Sequence, residues 1–415
     1  MNDAKLGYRC SEWVLRCGLR PTWVEVDLDA LTANVRELCR LAGHSQVMAV
    51  VKADGYGHGA REVAEAAVNG GARWLAVAAL EEGLELRRHG LLVPTLVLGY
   101  VPPEEATAAV EADISCCVFS LELARALGGA AVRLGKRARV HVKVDTGMGR
   151  LGVQPEGAVD FVRSLQAVAG LDVEGVFTHL ATADEDDLSF AETQLQRFAQ
   201  VVGRLDAEGL RVPYRHAANS AALLRLPAAR YNLVRPGLAV YGVHPVPGSE
   251  SPVQLRPVLT WKTRVGQLKT AAAGDTVGYG RAWQASGGER VATLPVGYAD
   301  GYRRALSNRG EVLVAGKRAK VVGRVSMDQT TVLLPGDIGY QGSGGQGNRG
   351  ILPADEVVLL GRQDGETISA WDMARAANTI PYEILVGIGK RVPRVYLRDG
   401  VVVGVRSHFL SCREE

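Results

Sequence analysis

From residue 24 to about 242 the chain repeats one pattern: a short apolar, β-branched run, then a stretch rich in Ala, Leu, Glu and Arg that suits a helix. The runs are VMAVVK (47–52), WLAVAA (74–79), TLVLG (95–99), ISCCVF (114–119), RVHVKVDT (139–146), VEGVFTHL (173–180), YRHAANS (214–220) and LVRPGLAVYG (233–242), eight in all. Strands this uniformly apolar are covered on both faces, so they belong to a parallel sheet whose crossovers are the helices between them. Eight such units in about 220 residues suit a (β/α)8 barrel. A doubly wound sheet is the competing arrangement, and periodicity alone does not separate the two. The run WVEVDL (23–28) precedes a helix of its own and has no assigned place in the eight.

Near residue 254 the texture changes to short strands separated by Gly-containing turns, as in VLTWKTRVGQLKTA, RVATLPVGYADGYRR and EVLVAGKRAKVVGRVSMDQTTVLL. That reads as a β-rich, mainly antiparallel domain, with one late helix in ISAWDMARAANT. Two domains are also what 415 residues lead one to expect, since a single core stops growing well before that length. The expected layout is an extension over 1–22, a barrel over 23–254, and a mainly-β domain over 255–415. The Gly-rich tract 336–350 reads as a surface loop, because no helix start follows it to make a phosphate cradle.

A formal charge of +3, with Lys and Arg scattered, gives no footprint for nucleic acid. No stretch approaches the length of an apolar membrane span, and the first residues lack a signal-peptide core. The six cysteines (10, 17, 39, 116, 117, 412) include no CxxC pair and no metal-like spacing, which suits a reducing cytoplasm and no metal.

In a barrel, chemistry sits at the C-terminal ends of the strands. There the sequence places Lys52, Lys143, Asp145, Arg150, His179, Asn219, Ser220 and Arg235. Taken singly, each has a plain reading: Lys52 a solvated strand-end lysine, His179 a satisfied histidine, Asn219 and Ser220 the cap of a short helix. Taken together, they crowd one rim with polar groups that a purely structural barrel does not need. Lys52 then reads as an amine made nucleophilic by desolvation or nearby cations, suited to a Schiff base. The helix start at Ser220, beside the Pro236-Gly237 turn, is where barrels often hold a phosphate.

The blocks VVKADGYGHG, KVDTGMGRLG, THLA, ANSAA, VRPGLAVYG, VGYGR, PVGYADGY, GRVSMDQ and IPYEILVGIGKRVPRVY, in that order over roughly 22–400, resemble those of the bacterial alanine racemases. The resemblance implies a pyridoxal 5'-phosphate isomerase, with a barrel followed by a β-domain, that makes D-alanine for peptidoglycan in the cytoplasm. It implies that Lys52 forms the aldimine with the cofactor and is one of two catalytic bases. The other base is Tyr279, donated by the partner subunit of a head-to-tail homodimer to the opposite face of the same carbon, since racemisation needs a proton removed on one face and returned on the other. Arg235 is implied to donate to the pyridine nitrogen, with His179 beside the ring orienting it. Tyr56, Asn219, Ser220, Gly237, Leu238 and Tyr382 match positions that hold the cofactor and its phosphate. Arg150 and the partner's Met327 match the substrate carboxylate site, with Asp328 in support. Lys143 matches a lysine that is carbamylated in many members, and Tyr298 with Tyr382 narrows the substrate entrance.

The chain departs from the pattern at Ser326, where some members have cysteine, at Gly387, where cysteine is frequent, and at the tract 336–350, which looks like an insertion. A broad-specificity or serine racemase remains a rival on the same scaffold, because one hydroxyl is poorly discriminated by binding alone. A pyridoxal-phosphate decarboxylase would pair the pyridine with a carboxylate, which Arg235 argues against. A non-catalytic pyridoxal-phosphate carrier would lack the second domain and Tyr279.

Overall fold

The computed structural model describes Val14 and residues 18–248, 252–336 and 350–409. The extension 1–22 therefore falls mostly outside the described residues, as does nearly all of the Gly-rich tract 336–350. The chain divides into two compact units, one of Ala30–Tyr56 with Ala60–Arg256, the other of Met1–Asp29, Gly57–Gly59 and Pro257–Glu415.

The first unit is the barrel. After the strand β1 (Thr22–Asp27), which belongs to the other unit, come β2 (Gln46–Val50), β3 (Trp74–Val77), β4 (Thr95–Val97), β5 (Ser115–Val118), β6 (Ala138–Lys143), β7 (Leu171–Phe177), β8 (Tyr214–His216) and β9 (Leu233–Val234). They pair in parallel from β8 down to β2 and on to β9. Individual bonds bring β8 beside β9: Asn232 N donates to Arg215 O (3.4 Å), Arg235 N to Ala218 O (2.9 Å), and Arg215 N to the Asn232 side chain (2.8 Å). Several of these strands are buried at every residue, as their apolar composition demands. The helices between them follow ordinary signals: Ser120 caps Leu121–Leu134 and Gly135 ends it in the left-handed region.

The strands are shorter than the apolar runs. YRHAANS is strand only through His216, and LVRPGLAVYG only at Leu233–Val234, because Pro236 cannot donate to a ladder and the chain turns there. Lys52 likewise lies two residues past the end of β2 rather than within it.

WVEVDL finds its place in the second unit, not at the head of the barrel domain as its position in 23–254 had implied. β1 runs antiparallel to Leu259–Arg264 and parallel to Arg394–Arg398 inside an 11-stranded, otherwise antiparallel sheet. Burial of Trp23, Val24 and Val26 there is what draws it in. The late helix is Ala370–Ala377, held by a reciprocal Ser369–Asp372 capping box and closed by Asn378 with φ 53°.

Candidate active site

The turn after β2 is left-handed. Ala53, Asp54, Gly55 and Tyr56 have φ of 53°, 54°, 59° and 51°. L-residues in this region cost about 1–2 kcal/mol each, and only Gly55 and Asp54 tolerate it readily. The turn is held from outside by Glu82, whose Oε1 accepts Ala53 N (2.6 Å), and tied to the helix that follows by Asp54, which accepts Ala60 N (2.9 Å). At its far end the Tyr56 ring stacks on Tyr241 (4.7 Å), and Tyr241 donates to Val50 O (2.9 Å). Lys52 begins this turn, half-buried. Burial pushes its amine pKa down, the Arg150 cation adds to that, and Glu82 opposes it.

Arg235 follows β9 and is buried, 3% exposed. Its acceptors are all neutral: His216 Nδ1 (2.8 Å), Thr178 O (2.8 Å), Ala217 O (3.1 Å) and His179 Nδ1 (3.4 Å). Burial lowers its pKa to about 9, which leaves it cationic at neutral pH. His179, two residues past β7, is pushed down to about 3 by burial and by Arg235, Lys143, Arg150 and Lys52, so it is a neutral imidazole. Buried Gln194 steadies the loop that carries it, donating to His179 O (3.1 Å) and accepting from Ala181 N (2.8 Å). Lys143 ends β6, also buried, and its pKa falls through burial, with Cys117 and Asp145 opposing and Arg235 and Arg150 assisting. Both Lys143 and Arg235 lie over the Phe177 ring, at 5.6 and 5.2 Å.

Beneath Arg235 runs a chain of hydrogen bonds with only one allowed polarity. A guanidinium has no acceptor, so His216 must accept on Nδ1 and carry its proton on Nε2. That proton goes to His141 Nδ1 (2.8 Å), so the His141 proton is on Nε2 and goes to Glu174 Oε1 (3.1 Å). Ser115 Oγ donates to the same oxygen (2.5 Å), and Arg139 Nε stands 3.9 Å from the other. Burial works to raise the Glu174 carboxyl, but these hydrogen bonds and Arg139 outweigh it and hold it below the usual range. The strand partner of His141 is Gly175, where a Cβ would meet His141 Nδ1 at 2.1 Å. The sequence reading missed His141, Glu174, His216 and Glu82; ionisable residues inside the apolar runs RVHVKV and VEGVF were the available signal.

Between the ends of β8 and β9 the structure forms a small polar cradle. Asn219 caps the turn Ser220–Arg225 by accepting Ala222 N (2.9 Å), as expected. Ser220 Oγ accepts Gly237 N (2.9 Å) and Ala239 N (3.2 Å), so its hydroxyl proton is what it has left to offer. A Cβ on Gly237 would fall 2.5 Å from the Tyr56 hydroxyl, so the space there is kept by glycine. Lys52, Lys143, Arg150 and Arg235 all act on His179, while Glu82 opposes the lowering at Lys52 and Cys117 and Asp145 oppose it at Lys143. A cluster so rich in cations beside such a cradle fits a phosphorylated anion that carries a carbonyl for Lys52.

The second unit carries Tyr279, Tyr298, Met327, Asp328 and Tyr382. Tyr279, Tyr298 and Met327 are exposed, at 72%, 42% and 53%. The loops of Tyr298 and Met327 are fastened together: Tyr298 N donates to Ser326 O and Ala299 N to Met327 O, both at 3.0 Å. Buried Asp300 braces them, accepting from Gly297 N (3.0 Å), Arg391 Nε (2.6 Å) and Arg20, while Arg391 also donates to Asp328 (2.6 Å). Tyr382 is half-buried on the short helix Pro381–Val386. Among the described residues no three His, Cys, Asp or Glu side chains gather to hold a metal, and no helix is long and apolar enough to cross a membrane.

Residues 26–245 match the family model of the alanine racemase N-terminal domain, and 258–396 that of the C-terminal domain. The chain is 51% identical to an alanine racemase of Symbiobacterium thermophilum over 91% of its own length and 98% of that protein's. Among solved structures it is similar to alanine racemase of Clostridium difficile 630, with TM-score 0.87 and 37% identity over 94% and 99% of the two chains. It is also similar to alanine racemase from Bacillus anthracis with bound L-Ala-P, with TM-score 0.84 and 39% identity over 93% and 97%.

Proposed function

The chain belongs to the alanine racemase family, and from that premise we propose how its own residues carry the interconversion of L- and D-alanine. The cofactor is pyridoxal 5'-phosphate. Lys52 would hold its aldehyde, Tyr56, Asn219, Ser220, Tyr382 and the backbone of Gly237 and Leu238 its phosphate, and His179 and Arg235 its ring. When bound, it supplies the conjugated electron sink that makes the α-C–H of an amino acid acidic.

The observation that carries this reading is Arg235. Its guanidinium donates and cannot accept, so it offers the ring nitrogen a hydrogen bond without a proton to give up. Its one side-chain acceptor at 2.8 Å, His216, is neutral and locked in tautomer by His141, which holds the guanidinium in place. A carboxylate there would favour deeper electron withdrawal and side reactions; an arginine suits proton exchange alone.

Lys52 works one face of the α-carbon and the partner's Tyr279 the other, one removing a proton and the other returning one. The exposure of Tyr279 and Met327 in the single chain supports their acting across a head-to-tail homodimer. Arg150 would bind the substrate carboxylate together with the partner's Met327, supported by Asp328. Lys143, with its lowered pKa and cationic neighbours, is suited to carbamylation, which would place an anion beside Arg150. Tyr298 and Tyr382 would narrow the entrance. We place the enzyme in the cytoplasm, where D-alanine enters peptidoglycan synthesis.

The test is an interconversion assay on purified enzyme with both enantiomers of alanine, serine and larger amino acids. Rapid alanine turnover in both directions is the expected result. Decarboxylation, or equal rates across the panel, would overturn it.

A further inference from the structure

The segment after β2 stands in a conformation that Ala53 and Tyr56 do not favour, so something outside it must fix it. Glu82 lies in the first turn of the helix Leu80–Arg88, in the next βα unit. One of its oxygens, Oε2, accepts Ala78 N (2.7 Å) and Ala79 N (3.3 Å). That is the work of a capping residue and is complete in itself. The other oxygen reaches out of its own helix to Ala53 N at 2.6 Å. A cap does not need this second contact.

The remaining restraints on the turn act farther along it. Gly55 N donates to Val51 O (2.8 Å), Asp54 accepts Ala60 N, and Tyr56 stacks on Tyr241. Among the described residues, the Glu82 contact is the one that grips the peptide directly following Lys52. We propose that Glu82 is a positioning residue for Lys52: it pins the left-handed turn through Ala53 and sets a negative charge against the cations around the amine. This rests on the catalytic role assigned to Lys52, yet its geometric part is measurable without turnover. The titratable and charged groups that act with Lys52 are Arg150 after β6, His179 after β7, and Glu82. Among these Glu82 opposes the lowering of the Lys52 pKa.

The experiment compares cofactor-loaded parent, Glu82→Gln, Glu82→Ala and, as control, Glu81→Gln on the exposed side of the same helix. Hydrogen exchange followed by mass spectrometry reads the peptides over 51–57 and 78–88 separately. Loss of one charge-assisted hydrogen bond should speed exchange in 51–57 by about tenfold or more in both Glu82 variants. In Glu82→Gln, which keeps an acceptor for the cap, 78–88 should change less. The acid limb of the kcat profile, on which Lys52 must lose its proton to act as base, should move to lower pH, because burial and Arg150 then act on it unopposed, while Glu81→Gln matches the parent. Should Glu82→Ala not fold, Glu82→Gln decides. Faster exchange confined to 78–88, or an unmoved pH limb, would show that Glu82 is a cap and nothing more. Faster exchange at 51–57 in the Glu82 variants of a parent that itself fails to racemise alanine would refute the role of Lys52 while leaving the turn restraint standing.

Discussion

Glu174→Leu tests whether the buried chain from Arg235 to Glu174 has a fixed polarity. The substitution removes the terminal acceptor, so the Nε2 proton of His141 and the Ser115 hydroxyl both lose their partner. Re-tautomerising does not relieve this. If His141 moves its proton to Nδ1, it faces the Nε2 proton of His216; if His216 shifts too, its new Nδ1 proton faces Arg235. One donor too many stays buried wherever the chain is broken. At about 1–3 kcal/mol per buried unsatisfied group, two such groups cost roughly 2–6 kcal/mol. Glu174→Gln keeps an acceptor and loses only the charge opposite Arg139, a cost of about 1 kcal/mol. For a unit of this size a kilocalorie moves Tm by about 2–4 °C, so the leucine variant should melt well below the glutamine one. The Glu174 carboxyl is held below its usual range, so its contribution is present above the unfolded carboxyl pKa and is lost as pH falls through the folded value. The gap between parent and leucine variant should therefore narrow in acid. Nitrogen-15 spectra of labelled histidine should show the parent His216 protonated at Nε2 alone. A protonated Nδ1 there, or equal melting of the two variants, would refute the fixed polarity.

Mixing Lys52→Ala with Tyr279→Phe should restore about one quarter of the parent activity, if half the dimers are mixed and each has one intact site; no recovery after confirmed subunit exchange places both bases in one chain. Gly237→Ala sets a methyl 2.5 Å from the Tyr56 hydroxyl, so cofactor affinity should fall about tenfold or more in a fluorescence titration; unchanged affinity would remove the cradle from the phosphate site. Asp300→Asn weakens the brace from Arg20 and Arg391 to the Tyr298 and Met327 loops. It should cost about 2 kcal/mol, discounted for the partly exposed arginines, and raise KM for alanine more than it lowers kcat. In carbon-13 bicarbonate the enzyme should give a carbamate signal that vanishes in Lys143→Ala, and its absence from the parent would leave Lys143 an unmodified amine.

What could be read from the chain followed from local order. Apolar runs in a helix-strand rhythm mark a barrel, and ionisable residues at the ends of those runs point to one rim, where the structure brings Lys52, Lys143, Arg150, His179 and Arg235 together. The run WVEVDL shows where this stops: its alternation announces a strand, but its partners lie more than 200 residues away, beside Leu259–Arg264 and Arg394–Arg398. The same holds for the groups beneath the rim. His141 and Lys143, two apart on β6, share one face, yet that His141 meets His216 depends on the register of three strands and on a glycine at 175. The turn after β2 is a sharper case, since Ala53 and Tyr56 argue locally against a left-handed helix, and a carboxylate from the next unit helps to overrule them. The two hidden features act on the same problem. A barrel that gathers four cations at one rim must keep each of them placed and charged as its chemistry requires. Glu82 reaches Lys52 through the backbone, and Glu174 reaches Arg235 through two histidines. In both cases the carboxylate stands back from the cation it steadies, leaving the rim positive, as the anionic cofactor proposed above would require.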